Sequence, residues 1–235
     1  MQRAGHPNDS AYQVGLERCD ANFAPLTPLS FLERTADVFP DRTAWVHGAD
    51  SATYALFRER CHRLASALVK RGVEPGDTVA VLLPNTPPML EAHYGVPMAG
   101  AVLNSINIRL EPQTIAFILQ HGGAKILLTD SAFAGAVQTA LGTLEAPPLV
   151  VDVVDVMEVG DRLGDLTYDD LLAEGDPAFE PLYPADEWQA IGLNYTSGTT
   201  GDPKGVVVHH RGAHLNAVGQ ALACEMPLHP VYLWT

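Results

Sequence analysis

From residue 77 onward, short apolar runs alternate with segments of helical spacing. No other feature of the chain restricts its fold as much. Asp77 to Leu83 (DTVAVLL), Ala101 to Ile108, Ala124 to Thr129 (AKILLT), Pro148 to Val154 (PLVVDVV) and Ala190 to Tyr195 (AIGLNY) read as strands. Between the first four lie candidate helices over Pro87 to Met98, Glu111 to His121 and Ser131 to Leu144, the last with Ser131 as its cap. A strand with one face in water alternates apolar and polar residues. These runs are apolar at consecutive positions, so both faces must be covered, and the intervening helices supply the cover. The predicted class is α/β, a largely parallel sheet flanked by helices on both sides.

The remaining segments frame this core. Residues 1–26 show no periodicity and read as a leader lying over other parts of the chain. Thr27 and Pro28 open a helix over Leu29 to Phe39, with Thr27 as N-cap and Pro28 at N1. Thr43 to His47 and Ser51 to Tyr54 read as strands around the turn Gly48-Ala49-Asp50. Phe57 to Arg71 is helical, apolar at Leu64, Ala65, Ala67 and Leu68, and stopped by Gly72. Glu158 to Glu187 is richer in acid, Gly and Pro, holds one short helix over Tyr168 to Ala173, and reads as a connection. Three units are expected: a leader (1–26), an N-terminal α/β subdomain (27–187) and the start of a second subdomain (188–235).

Charge and cysteine content narrow the function. The chain carries 14 Lys and Arg against 28 Asp and Glu, a net charge of −14. That balance argues against a nucleic-acid partner or an anionic membrane surface, which need clustered cations. It leaves room for a phosphate ligand, since a local nest of backbone N–H groups can hold an anion in an acidic protein. Cys19, Cys61 and Cys224 form no CxxC pair or zinc spacing, which points to a reducing, cytoplasmic compartment. Met1 to Ser10 is polar and lacks a secretory h-region. The uncharged stretch from Ala92 to Ile108 is shorter than the roughly 20 apolar residues of a spanning helix and contains Gly, Pro and Asn, so no transmembrane segment is expected.

The strand Ala190 to Tyr195 delivers the most informative segment, Tyr195-Thr-Ser-Gly-Thr-Thr-Gly-Asp-Pro-Lys204-Gly205. Gly198 and Gly201 let the backbone reach φ > 0 and approach a ligand, so that successive N–H groups converge on phosphate oxygens. Thr196, Ser197, Thr199 and Thr200 add hydroxyl donors without charge. Lys204 adds a point charge and Pro203 stiffens the approach to it. A polyphosphate suits this set best; a plain solvent loop, also rich in Gly, Ser and Thr, is the weaker reading. A Walker loop is rejected residue by residue: counted from Gly198, Pro203 stands where glycine is required, and Gly205 follows Lys204 where a hydroxyl is required. The β-branched run Val206 to Val208 favours a strand next, so the loop should turn between two strands.

Other candidates are weaker. His210 and His214 stand at i, i+4, where two imidazoles can share a metal. No Glu follows His210 and no third ligand is evident, so packing or capping is expected. Asp169-Asp170 reads as the solvated face of a short helix, Asp152 and Asp155 as markers of a strand end, and Met89 and Met98 as core.

YTSGTTGDPKG resembles the signature of the AMP-forming adenylating enzymes, the superfamily of acyl-CoA synthetases, firefly luciferase and peptide-synthetase adenylation domains. Val206-Val207-Val208-His209-His210-Arg211-Gly212 and Leu83-Pro84-Asn85-Thr86-Pro87 resemble the same family, over about Thr27 to Thr235. Gly95 to Asn104 resembles fatty-acyl-CoA synthetases of short- to medium-chain type. The resemblance implies a ligase that uses ATP, Mg²⁺ and CoA and a small carboxylic acid. Thr196, Ser197, Gly198, Thr199, Thr200, Gly201 and Lys204 would hold the β- and γ-phosphates, with Thr196 also approaching Mg²⁺. It also implies a longer enzyme continuing past a strand at Val231 to Thr235, with the catalytic residues, most of the acyl pocket and the adenine contacts beyond Thr235. The chain alone is expected to be inactive. The alternative is a non-catalytic nucleotide- or phosphate-binding module, or a split-enzyme subunit. An unfinished sheet edge would invite a homo-oligomer or a partner chain.

Overall fold

The computed structural model describes residues 14–155, 160–196 and 203–234. Near the N-terminus, α1 (Leu29–Val38) is followed by β1 (Thr43–His47) and β2 (Asp50–Thr53), an antiparallel hairpin. Pro28 stands at the N-cap of α1, not at N1, and Thr27 lies one residue further out. The Thr53 hydroxyl accepts the Leu56 N–H at 3.2 Å and caps α2 (Tyr54–Lys70), so this helix starts three residues before the predicted Phe57.

The central alternation is as predicted. β3 (Thr78–Leu82), α3 (Pro87–Met98), β4 (Val102–Ser105), α4 (Pro112–His121) and β5 (Ala124–Asp130) follow in order. A 3₁₀ turn over Ser131–Phe133 then leads into α5 (Ala134–Leu141). Here the predicted cap was wrong. Asp130 Oδ1 accepts the Ala132 N–H at 2.9 Å, while Ser131 Oγ accepts the Gly160 N–H at 3.1 Å. The chain continues through β6 (Leu149–Val153), β7 (Leu166–Thr167), α6 (Tyr168–Glu174), β8 (Ala190–Thr196), β9 (Lys204–His209) and α7 (His210–Ala223).

The main sheet has the order β7-β6-β5-β3-β4-β8-β9, parallel throughout except for β9, which runs antiparallel to β8. Every residue of β3 is buried. Val79 and Val81 face a cluster built from α1, α2, α3 and α6, including Leu29, Leu64, Leu68, Met98 and Leu171. Ala80 and Leu82 face the second cluster, with Ile115, Ile118 and Leu119 of α4 and Val137 of α5. The two faces of one strand thus explain its unbroken apolar run. Met89 and Met98 are core, as predicted.

Two further expectations fail. Asp152 does not mark a strand end: it lies inside β6, fully buried, and its carboxylate accepts the Leu163 and Gly164 N–H groups at 2.8–3.1 Å. Buried backbone donors of the following loop need an acceptor, and the acid supplies it. Residues 231–234 form no strand. No helix among the described residues is long and apolar enough to cross a membrane.

Candidate functional site

β8 runs parallel to β4, β3, β5 and β6, so Thr196 emerges at the same carboxyl edge as Leu82, Ser105, Asp130 and Val153. The chain path reverses beside β3, with β4 on one side and β5 on the other. Ligands of open α/β sheets bind at this edge, beside such reversals.

The two ends of the hydroxyl-rich loop are brought together by strand register. Thr196 pairs with Lys204, Tyr195 with Gly205, Asn194 with Val206 and Leu193 with Val207. The loop therefore turns between two strands, as its sequence requires. Thr196 and Lys204 are both exposed, and Lys204 makes no ion pair among the described residues. Ser197, Gly198, Thr199, Thr200 and Gly201 lie outside the described residues. Thr196 offers one hydroxyl, which suits a Mg²⁺ carried mainly by phosphate oxygens and water. It does not suit a cation held by protein alone, and no group of three or more His, Cys, Asp or Glu among the described residues could hold one.

Tyr195, quoted only as the first letter of the motif, turns out to anchor the loop entry. Its hydroxyl lies 2.7 Å from His121 Nδ1 at the end of α4. Phe117, one turn earlier, stacks on His121 with centroids 5.3 Å apart and meets the Tyr195 ring edge-on. Burial raises the Tyr195 pKa, so the phenol stays neutral. Across the hairpin a Cβ on Gly205 would lie 3.1 Å from Leu193 Cδ1 and 3.6 Å from the Tyr195 ring, so the leucine side chain would have to give by a few tenths of an ångström. Nothing in the local sequence marks His121 or Phe117, because the contact spans 74 positions.

His210 and His214 take the packing roles expected of them. His210 Nδ1 lies 2.8 Å from Thr27 Oγ1, His214 Nδ1 donates to the Thr27 carbonyl at 3.1 Å, and the His214 ring stacks on Phe31. Burial pushes the His210 pKa down to about 4. Asp169 is solvent-facing, and Asp170 closes a capping box with Thr167 at the start of α6. A cavity of about 1030 Å³ is lined by Trp45, Tyr54, Thr86, His93 and Trp234 among others, and includes neither Thr196 nor Lys204. The buried acid that sequence reading missed is Glu91 in α3. Arg60 Nε donates to it at 2.6 Å and the Tyr168 hydroxyl at 2.7 Å.

Residues 32–235 match the protein family described as AMP-binding enzyme. The peroxisomal acetate/butyrate–CoA ligase AAE7 of Arabidopsis thaliana is 45% identical over 233 residues, covering 94% of this chain and 41% of that protein. The acetate–CoA ligase CCL3 of Humulus lupulus is 43% identical over 228 residues, covering 92% of this chain and 40% of that protein. The chain thus spans about two fifths of the length of the curated relatives it matches. Among solved structures, the anthranilate CoA ligase AuaEII in complex with anthranoyl-AMP shares the fold, with a TM-score of 0.73 at 24% identity over 83% of this chain and 37% of that one.

Proposed function

The chain belongs to the AMP-binding enzyme family, and from that premise we propose that it is the phosphate-binding part of an ATP-dependent, AMP-forming carboxylic acid–CoA ligase. The observation that carries this reading is the β8–β9 register, which sets Thr196 opposite Lys204 at the carboxyl edge of the sheet, on either side of the hydroxyl-rich loop. In the proposed reaction a carboxylate oxygen bonds to the α-phosphorus of ATP as the bond to the β-phosphate bridging oxygen breaks. The CoA thiol then displaces AMP from the acyl carbon. The first step needs no protein nucleophile, because the substrate carboxylate is one. The protein's part is positioning and charge neutralisation of the leaving pyrophosphate.

We assign that part to Thr196, Ser197, Gly198, Thr199, Thr200, Gly201 and Lys204. Mg²⁺ would supply further charge neutralisation at the phosphates, with the Thr196 hydroxyl as its protein contact. Acetate and butyrate, named in the relatives above, support a short-chain carboxylic acid as the substrate. Residues 27–187 would form the first subdomain, behind a leader over 1–26, and residues 188–235 the beginning of the second. Cytoplasmic residence is the compartment proposed from the cysteine pattern. AAE7 is peroxisomal, and the distribution of the tagged protein decides between the two.

ATP–pyrophosphate exchange tests the reading. In the enzyme that carries these residues, acetate or butyrate should support exchange, and Lys204→Ala should reduce it at least about tenfold by removing a charge-assisted phosphate contact. Exchange undiminished in that variant would remove Lys204 from the site. The 235 residues alone should give none, since we place the acyl and adenine contacts outside them.

A further inference from the structure

The root of the β8–β9 hairpin is gripped by residues more than 160 positions earlier in the chain. Thr27 is buried, and its hydroxyl meets His210 Nδ1 at 2.8 Å while its carbonyl receives His214 at 3.1 Å. Its neighbour Leu26 donates its N–H to Glu187 Oε2 at 2.9 Å. The other oxygen of Glu187 receives Arg211 Nη1 at 2.6 Å, and the Glu187 carbonyl receives the Arg211 N–H at 2.9 Å. The His210 N–H donates to the Gln189 carbonyl at 3.1 Å. Both strands are thus caught at one end: Glu187 to Gln189 lead into β8, and His210 and Arg211 follow β9.

The sheet itself holds the hairpin less firmly. β8 meets β4 through two register pairs, Leu103 with Gly192 and Asn104 with Leu193. β9 is an edge strand, with β8 as its partner in the sheet. The hairpin is therefore a two-stranded lever with a narrow seat on the sheet. The Leu26–Thr27 grip lies at one end, and Thr196 and Lys204 lie at the other. At about 3.4 Å per residue the distance between them is roughly 17–20 Å. A small rotation at the root is magnified at Thr196 and Lys204, where phosphate contacts demand exact placement of several donors at once.

We propose that Leu26, Thr27 and Glu187, acting on His210 and Arg211, form a positioning clamp that sets the angle of the β8–β9 hairpin and so the placement of Thr196 and Lys204 at its far end. Each of these residues lies at the root of the hairpin and acts on Thr196 and Lys204 through the strands. The inference rests on the phosphate-binding reading proposed above. It adds residues that the glycine- and hydroxyl-rich motif does not contain.

Thr27→Val keeps the shape of the side chain and removes the hydroxyl that meets His210 and that also accepts the Leu29 N–H at 3.3 Å. Thr27→Ser restores the hydroxyl. ATP binding to the enzyme that carries these residues is measured by calorimetry, with ¹⁵N amide shifts recorded at Lys204 and Gly205 and, as a control, in β5. Thr27→Val should weaken ATP about five- to tenfold, the loss of one buried hydrogen bond transmitted to the site. It should also shift the Lys204 and Gly205 amides and leave β5 in place. Thr27→Ser should return both readouts to within about twofold of the unmodified chain.

Unchanged ATP affinity and unmoved loop-end amides in Thr27→Val overturn the clamp. So does a uniform shift of all amides, which would mean general loosening. Lys204→Ala in parallel separates the two ideas. If it binds ATP as the unmodified chain does, or if neither binds, the loop reading falls and the amide shifts alone decide the clamp. Should Thr27→Val not fold, Glu187→Gln carries the same test. It weakens the grip on Arg211 while keeping an acceptor for Leu26.

Discussion

At the scale of single residues, burial outweighs every other influence on two side chains. His210 is hemmed in between α7 and the start of α1, and its pKa falls to about 4. In the unfolded chain the same imidazole titrates near 6.5. Between those values the unfolded state binds a proton that the folded state refuses, so stability is complete above about pH 6.5 and drains away as pH falls toward 4. His93, a residue of α3 with its Nδ1 on the Met89 carbonyl, shifts in the same direction and contributes to the same limb. His210→Asn removes one of the two. From pH 7 to pH 4.5 the unmodified chain should lose about 1–3 kcal/mol more than the variant, read by urea unfolding at each pH. Parallel pH profiles would show that burial of His210 is not the cause.

Glu91 is the other case: burial pushes its carboxyl pKa up, against the pull of Arg60 and Tyr168. Its place in PPMLEAHYG gives no hint of this, because its partners lie 31 and 77 positions away. The loop residues were legible because glycines, hydroxyls and a lysine at short spacing carry their chemistry locally. Glu91, Tyr195 with His121, and the Thr27 contacts were not, because each is defined by a partner that only the fold brings near.

At the scale of elements, close approach decides what is tolerated. α2 and α3 cross where Gly95 faces Leu64: a Cβ on Gly95 would sit 2.7 Å from Leu64 Cδ2 and 2.9 Å from its Cβ and Cγ. Leu64 is fully buried and its Cβ cannot swing aside. Gly95→Val should therefore cost about 1–3 kcal/mol by overpacking, more than helix propensity could return. Thermal unfolding measures it, and an unchanged or raised midpoint would show that the helices separate freely. Apart from the two-residue β7 and the strand expected over Val231 to Thr235, the elements were readable to within a few residues, since strand and helix periods survive in short windows. Their ends were less so. The 3₁₀ turn after β5 and the early start of α2 depend on which side chain reaches a free N–H first, and neighbouring Ser, Thr and Asp residues compete for that role.

At the scale of the molecule, the alternation of apolar runs was enough to announce a covered parallel sheet, but not its order. That β5 returns to the far side of β3, and that β8 comes back to β4 after the sheet has grown outward to β7, is settled by pairings between distant segments. Residues 231–234 illustrate the limit from the other side: a strand-like composition there makes no strand. The outer face of β9 and α7 also remains open, with Val207, Leu215 and Leu222 exposed.

The narrow seat of β8 on β4 has a consequence in time. Segments joined by few ladder pairs open as a unit, at lower free energy than the sheet they lean on. The amides of β8 and β9 should exchange their hydrogens for deuterium together, well ahead of those in β3 and β5. Exchange at one common rate across all four strands would mean that the hairpin is as deeply fixed as the centre. If the hairpin does open early, the part of the chain assigned to grip phosphate is also the last to close when the protein folds.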